Sequence, residues 1–367
     1  MRVAHVIDTL NVGGAQKLLV TFADAARGTE LETTVVSFTR DNNSPLPSQL
    51  SALGAKVFHF PASQLFDARR LTELVRLLRR ERYDVLNTHL TYANINGIIA
   101  GTLARVPVVS TLHSAGKDPA HRRVIPHVES VLLRFGARRV IAVGYFVAQA
   151  NRARLGNRHV DVIPNAVAVP AALSADERLE IRKTLMTDPS RVLLISVGRL
   201  NILKGYADLI DAFARIHENF PQTCLAIAGG GDLYDALDAQ IKARGLHKDV
   251  MLLGSRNDVP RLLAASDLFV SASHLEGMPV AVLEAMAAGL AVVATDVGDV
   301  SHVVAQGTGI VVPARQPELL AQAVCALVDN PAQRQAFGAQ ARAHVLANYS
   351  QKVWLERLRQ LYAKVKQ

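Results

Sequence analysis

Only two cysteines, Cys224 and Cys325, occur in the 367 residues. That excludes a disulfide framework, and both lie in apolar segments, so they are expected to be buried core thiols in a reducing compartment. Nowhere does an apolar run reach the roughly 18 residues a membrane-spanning helix needs. The opening MRVAHVIDTL meets Asp8 too early for the apolar core of a signal peptide. The expectation is a cytoplasmic protein. Aromatic residues make up 5% of the chain, and the basic stretches are almost free of them, which argues against nucleic acid as a partner. There is no Asp-x-Asp pair and no Cys/His cluster with metal spacing, so no metal cofactor is expected. The first glycine-rich turn is not G-x-G-x-x-G, and Glu32 precedes the second strand pattern instead of ending it, which excludes the dehydrogenase fingerprint.

The basic excess is confined to one half of the chain. Residues 1–170 hold 21 Lys and Arg against 12 Asp and Glu, whereas residues 171–367 hold 20 of each. Much of it sits in Arg69, Arg70, Arg76, Arg79, Arg80 and Arg82 and in Arg122, Arg123, Arg134, Arg138 and Arg139. Such segments suit an anionic membrane surface or a phosphorylated substrate; a plainly solvated helix face is the alternative.

Short Val/Ile-rich runs alternate with helical patterns through both halves. Strands are predicted at 3–7, 33–38, 56–60, 84–87, 108–112, 139–143 and 160–163, with helices at 15–26, 68–81 and 93–103 between them. After an extended connector around Asn165–Pro170, a second series begins, with strands at 192–197, 224–228, 250–253, 268–271, 291–295 and 309–312. Strand–helix alternation of this kind indicates parallel sheets covered on both faces. Two doubly wound α/β domains are therefore expected, residues 1–168 and 169–349. The closing amphipathic segment 350–367, with Trp354, Leu355, Leu358, Leu361 and Tyr362 at helical spacing, is expected to pack back on the first.

In parallel sheets, ligands sit at the carboxyl ends of strands, where helix N-termini offer free N–H groups. Four such loops stand out. Gly13-Gly14 opens the first helix and would let a phosphate approach the backbone, or is a plain tight turn. Arg199 and Lys204, in Gly198-Arg-Leu-Asn-Ile-Leu-Lys-Gly205, place two cations after a strand where they can grip a pyrophosphate. Glu276-Gly-Met-Pro-Val-Ala-Val-Leu-Glu284 sets two carboxylates eight positions apart, with Pro279 suited to the first helical turn. Glu284 lies in an otherwise apolar helix and needs a partner: sugar hydroxyls, or a structural ion pair with Arg199 or Lys204. Finally, His113 follows a strand and could hydrogen-bond a reacting group, although a lone histidine is usually structural.

Taken together, GRLNILKG at 198–205, the run from Glu276 to Asp299, GGAQ at 13–16, AGGG at 228–231, LLGSRND at 252–258 and Ile163-Pro-Asn165 resemble glycosyltransferase family 4. The resemblance covers almost the whole chain. It implies the GT-B fold, two Rossmann-like domains with a central cleft, and a retaining transfer from a nucleotide-sugar donor without a metal. It further implies that Arg199 and Lys204 hold the donor diphosphate, Glu276 the donor sugar and Glu284 the ribose. N–H groups around Met278 and Val280 would meet sugar and phosphate, and the backbone around Arg256 (Ser255–Asn257) the base. Gly14 would approach the diphosphate, and His113 would stand near the transferred sugar. Many members carry glycine where this chain has Pro279, which offers no N–H. A hexose-type UDP-sugar donor is favoured over GDP-sugar. The expected acceptor is a glycan, lipid-linked, in surface polysaccharide synthesis, with the enzyme peripheral on the inner membrane face. The basic loop Lys117–Arg123 suits such an acceptor. The rival readings are a nucleotide-sugar epimerase on the same fold and a non-catalytic sugar-nucleotide-binding regulator.

Overall fold

The computed structural model describes residues 1–11, 13–40, 44–61, 67–114, 124–186 and 188–367. Arg122, Arg123 and the Lys117–Arg123 loop lie outside the described residues. The chain begins β1 (Arg2–Ile7), α1 (Gly14–Ala26), β2 (Glu32–Ser37), α2 (Leu46–Ala52), β3 (Lys56–His59), α3 (Ala68–Glu81), β4 (Val85–His89) and α4 (Thr91–Ala104). It continues with β5 (Val108–Leu112), α5 (Val124–Phe135), β6 (Arg139–Ala142), α6 (Tyr145–Leu155), β7 (Val160–Val162) and α7 (Ala175–Leu185). Then come β8 (Val192–Val197), α8 (Tyr206–Asn219), β9 (Thr223–Ala228), α9 (Tyr234–Ala243), β10 (Val250–Leu252), α10 (Val259–Ala265) and β11 (Leu268–Ser271). The chain closes with α11 (Val280–Ala287), β12 (Ala291–Thr295), α12 (Val300–Val303), β13 (Gly309–Val312), α13 (Pro317–Asp329), α14 (Pro331–Asn348) and α15 (Gln351–Lys366).

These elements form two compact units, Met1–Ala166 with Gln351–Gln367, and Val167–Ser350. The first is built on a parallel sheet of order β3-β2-β1-β4-β5-β6-β7. Its central strands are wholly buried because helices cover both faces. Trp354, Leu355, Leu358, Leu361, Tyr362 and Val365 of α15 join Phe22, Val85, Val109 and Ile141 in one apolar cluster. Trp354 meets Phe22 edge-on at 6.0 Å, and Asn87 Nδ2 donates to the Tyr362 hydroxyl at 2.7 Å.

The second unit has the order β10-β9-β8-β11-β12-β13, again parallel. Its cluster gathers Leu194, Phe213, Leu225, Leu268, Val293 and Leu327, with others. The sequence reading passed over α7, whose start is written in a capping box: Ser174 Oγ accepts from Glu177 N, and Glu177 answers to Ser174 N.

Three expectations need correction. Cys224 is buried, but Cys325 is only half-buried, on the flank of α13. Arg70 is no surface charge: it is 4% exposed, with its guanidinium 4.5 Å over the Phe38 ring, because a planar cation can bury its face on an aromatic. Arg139 is tied to Asp161 by two hydrogen bonds at 2.7 and 2.8 Å. The exposed basic face reduces to Arg69, Arg76, Arg79, Arg80, Arg82 and Arg138 among the described residues.

Candidate active site

In the second unit the chain winds outward from β8 through β9 to β10, then returns to β11 on the other side of β8. The crevice where the winding reverses is where open α/β sheets bind ligands. The loops after β8 and β11 flank it, and they carry most of the charged candidates.

Arg199 follows β8 and is exposed. Asn201 Oδ1 then accepts from Leu203 N at 3.1 Å and caps a single 3₁₀ turn ending at Lys204. Gly205 stands at φ 61°, and a Cβ there would come within 2.0 Å of the Ala272 carbonyl. Only glycine allows the β8 loop to lie against the β11 loop so closely. The result is the contact between Lys204 Nζ and Glu276 Oε1, 2.6 Å, with the side chains 25% and 13% exposed. Ser273 Oγ donates to the same carboxylate oxygen at 2.7 Å. Beneath them His274 Nε2 lies 2.8 Å from Asp208 Oδ2.

Past Glu276, Pro279 is not in the first helical turn. With φ −80° and ψ 77° it is the centre of an inverse γ-turn, in which Val280 N donates to Met278 O at 3.0 Å. The helix α11 starts one residue later, and in this state the Val280 N–H is engaged. Glu284 lies one turn along, half-buried among Val282, Leu283, Ala285 and Met286. The ion pair that forms here joins Lys204 to Glu276.

Arg256 follows β10 and is locked to Asp258 by a bidentate pair at 2.8 and 2.7 Å. Its loop is stitched to the glycine turn after β9, where Gly229 N donates to Gly254 O at 2.8 Å. A Cβ on Gly229 would strike the Gly198 carbonyl at 1.8 Å. Hence the loops after β8, β9 and β10 pack edge to edge.

In the first unit the winding reverses between β1 and β4. Gly13 precedes α1 at φ −165°, ordinary extended backbone, and a Cβ added to Gly14 would meet nothing within 4 Å. The backbone at Gly14 is thus open to a ligand. Asp8, just after β1, accepts from the N–H groups of Ala93 (2.5 Å) and Tyr92 (3.2 Å) at the start of α4. Burial pushes its carboxyl up to about 7. His113 follows β5 and lines a cavity of about 180 Å³ with Asp8, Asn94, Thr111, Glu129 and Arg154. Glu129 is held there by Asn94 and Arg154, each at 2.7 Å.

Sequence reasoning missed His89 and His5, which hydrogen-bond in series behind His113. His5 carried a readable signal, as a polar residue in a strand that otherwise reads as core; His89 did not, because it follows Asn87 and Thr88 and lies past the end of the strand expected at 84–87. It also missed Ser273 and Asp8.

Two family models match the chain, one on each unit. The model for Glycosyltransferase Family 4 covers residues 12–169, and that for Glycosyl transferases group 1 covers residues 177–344. The chain belongs to glycosyltransferase family 4. The chain is 32% identical over 245 residues to the Escherichia coli enzyme UDP-Gal:alpha-D-GlcNAc-diphosphoundecaprenol alpha-1,3-galactosyltransferase. The match takes in 64% of this chain and 63% of that one, less than two thirds of the relative's length. It is 29% identical over 297 residues to D-inositol 3-phosphate glycosyltransferase of Pseudarthrobacter chlorophenolicus, 72% of this chain and 68% of that one. The crystal structure of Anabaena HepE in complex with UDP superposes on this chain with a TM-score of 0.87 at 24% identity, covering 99% of this chain and 100% of that one. That likeness confirms the GT-B fold, two Rossmann-like domains.

Proposed function

We propose that the protein transfers a hexose-type sugar, with retention, from a UDP-sugar to a lipid-linked glycan acceptor of surface polysaccharide synthesis. The observation that carries the donor half is the Lys204–Glu276 contact beside Arg199 at the switch point of the second sheet. A cation and a carboxylate held side by side suit a donor whose diphosphate and sugar hydroxyls lie side by side. The activity of the Escherichia coli relative supports UDP and an undecaprenol-linked acceptor.

In this reading Arg199 and Lys204 bind the diphosphate and stabilise it as it leaves. Glu276 accepts from the donor sugar, and Glu284 from the ribose hydroxyls. The N–H groups around Met278 and Val280 meet sugar and phosphate, the latter on exchanging its γ-turn bond. The backbone around Arg256 contacts the base, Gly14 the diphosphate, and His113 the transferred sugar. The bond from the anomeric carbon to the diphosphate oxygen breaks while the acceptor oxygen bonds the same face. The acceptor's proton passes to the leaving phosphate. With two cations to meet the leaving charge, no metal is called for. EDTA should leave the rate unchanged, and loss of activity restored by magnesium would overturn that point. The exposed Arg76, Arg79, Arg80 and Arg82 support contact with an anionic membrane surface. Co-sedimentation with anionic vesicles that fades with salt tests this.

The deciding experiment is a thermal-shift panel of UDP, GDP, ADP and their sugars on wild type and Glu284→Ala. A ligand of the folded state raises the midpoint by mass action. UDP and a UDP-hexose should raise it in wild type, with a blunted response in the variant. No response to any nucleotide at millimolar concentration would remove the donor assignment.

A further inference from the structure

Three histidines, two on the adjacent strands β1 and β4 and one just past the end of β5, form one hydrogen-bonded series. His5 Nδ1 lies 3.0 Å from His89 Nε2, and His89 Nδ1 lies 2.9 Å from His113 Nε2. The ring centroids lie 5.3 and 5.2 Å apart. His5 and His89 are 2% and 3% exposed. His89 is followed by Leu90 at φ 73°, a left-handed conformation that a leucine adopts only when the surroundings impose it. The Asp8 carboxyl provides that constraint by holding the first N–H groups of α4.

At the inner end of the series, His5 Nε2 has no hydrogen-bond partner among the described residues, and neither has Asn165 Oδ1. Both side chains are more than nine-tenths buried, and both line one small cavity of about 10 Å³ closed by Phe22, Asn87, Trp354 and Leu358. That is the room of about one water molecule, in a place with two polar groups to bind it. We propose that the cavity holds one buried water, which donates to His5 Nε2 and Asn165 Oδ1 and thereby sets the tautomers of all three histidines, leaving His113 with its proton on Nδ1.

The direction follows from counting donors. Burial keeps the rings neutral: His5 is pushed down to about 3, His113 to about 4, and His89 well below its ordinary value. A neutral imidazole has one N–H and one acceptor nitrogen, so a series of three has only two arrangements, and all three rings switch together. If His5 carried its proton on Nε2, the water would accept it and donate to Asn165, and its second O–H would have only the already engaged oxygens of Asn87 and Thr111 to turn to. With the proton on His5 Nδ1, both water hydrogens are paired, the N–H groups of His5 and His89 have acceptors, and the one spare donor is His113 Nδ1–H, on the ring that lines the larger cavity of about 180 Å³. A buried donor left without an acceptor is the costlier arrangement. His5 and His89 then donate outward in turn, His113 Nε2 accepts, and His113 Nδ1–H is left to donate to an oxygen of the substrate. His5, His89 and Asn165 are positioning residues. The use of that N–H for a sugar hydroxyl rests on the function proposed above; the tautomers do not.

The test is long-range ¹H–¹⁵N correlation on the full chain with ring-labelled histidine at neutral pH, without substrate. His5, His89 and His113 should all be neutral and protonated on Nδ1, against the Nε2–H form that exposed imidazoles prefer. Asn165→Leu, which fills the cavity, should turn His113 into a mixture of tautomers and lower kcat several-fold at unchanged donor KM. His113 protonated on Nε2 in the wild type overturns the proposal, as do ring shifts unchanged in a folded Asn165→Leu variant. Altered tautomers with an unchanged kcat would support the water relay and remove the role of His113 in transfer. Should the variant not fold, the wild-type spectrum decides.

Discussion

The ammonium of Lys204 and the carboxylate of Glu276 meet at 2.6 Å, although 72 residues separate them in the chain. The contact exists because Gly205 lets the loop after β8 lie against the Ala272 carbonyl of the loop after β11. Removing the cation while keeping this scaffold should therefore cost rate more than fold. Lys204→Ala is expected to lower kcat by about 10²–10³-fold, the scale on which single preorganised charge-stabilising groups act, with a thermal midpoint within a few degrees of wild type. A nearly wild-type kcat would remove Lys204 from the leaving-group role.

The two glycines that open helices should respond in opposite ways to a methyl group. Gly205→Ala places a Cβ at 2.0 Å from a carbonyl with φ 61°, and should destabilise the second unit by at least about 1–3 kcal/mol. Gly14→Ala meets nothing within 4 Å and should melt like wild type, yet bind donor less well if the diphosphate approaches that backbone. Chemical denaturation with donor titration separates the two. Weak donor binding confined to Gly205→Ala would reverse the assignment.

Acid should loosen the first unit in a defined window. His5 and His113, lowered to about 3 and about 4, bind fewer protons folded than unfolded. Their stabilisation is complete above pH of about 6.5 and is lost as pH falls toward the folded values. Asp8, raised to about 7, acts oppositely: it binds more protons folded, and favours the folded state less as pH rises from about 4 to 7. The histidines outnumber it, so unfolding free energy measured in urea should fall from pH 6.5 to 4.5. A His113→Gln variant should show a shallower fall. A flat profile would mean the imidazoles are accommodated as cations.

The terminal helix belongs to the first unit's core. Trp354, 5% exposed against Phe22, should cost about 3–5 kcal/mol when replaced by alanine. Hydrogen exchange should then rise across α1 and β4, which share its cluster. Protection unchanged in α1 would show that α15 contributes little to that core.

Much of this was legible in the sequence. Strand runs such as Val192–Val197 and Ala291–Thr295 are apolar on both faces but for Ser196 and Thr295 near their ends, as a sheet covered on both sides requires, and their alternation with helical patterns leaves few topologies open. Arg199, Lys204 and Glu276 were found because charge at a strand's carboxyl end stands out against that background, and Glu284 because it is a carboxylate in an otherwise apolar helix. What tertiary structure alone decided is which charges meet. Nothing in the spacing said that Lys204 would pair with Glu276 when Glu284 was equally available, because the choice depends on how closely the backbone at Gly205 lies against the Ala272 carbonyl. Nor could it say that Arg70 would be buried on Phe38. The histidine series illustrates the same limit. His5 and His89 lie on β1 and β4 and His113 just past β5, and only the order β1-β4-β5 and its register bring their ring nitrogens within hydrogen-bonding distance. Local sequence specifies local conformation and burial; contacts between side chains far apart in the chain follow from how the finished sheet stacks its edges.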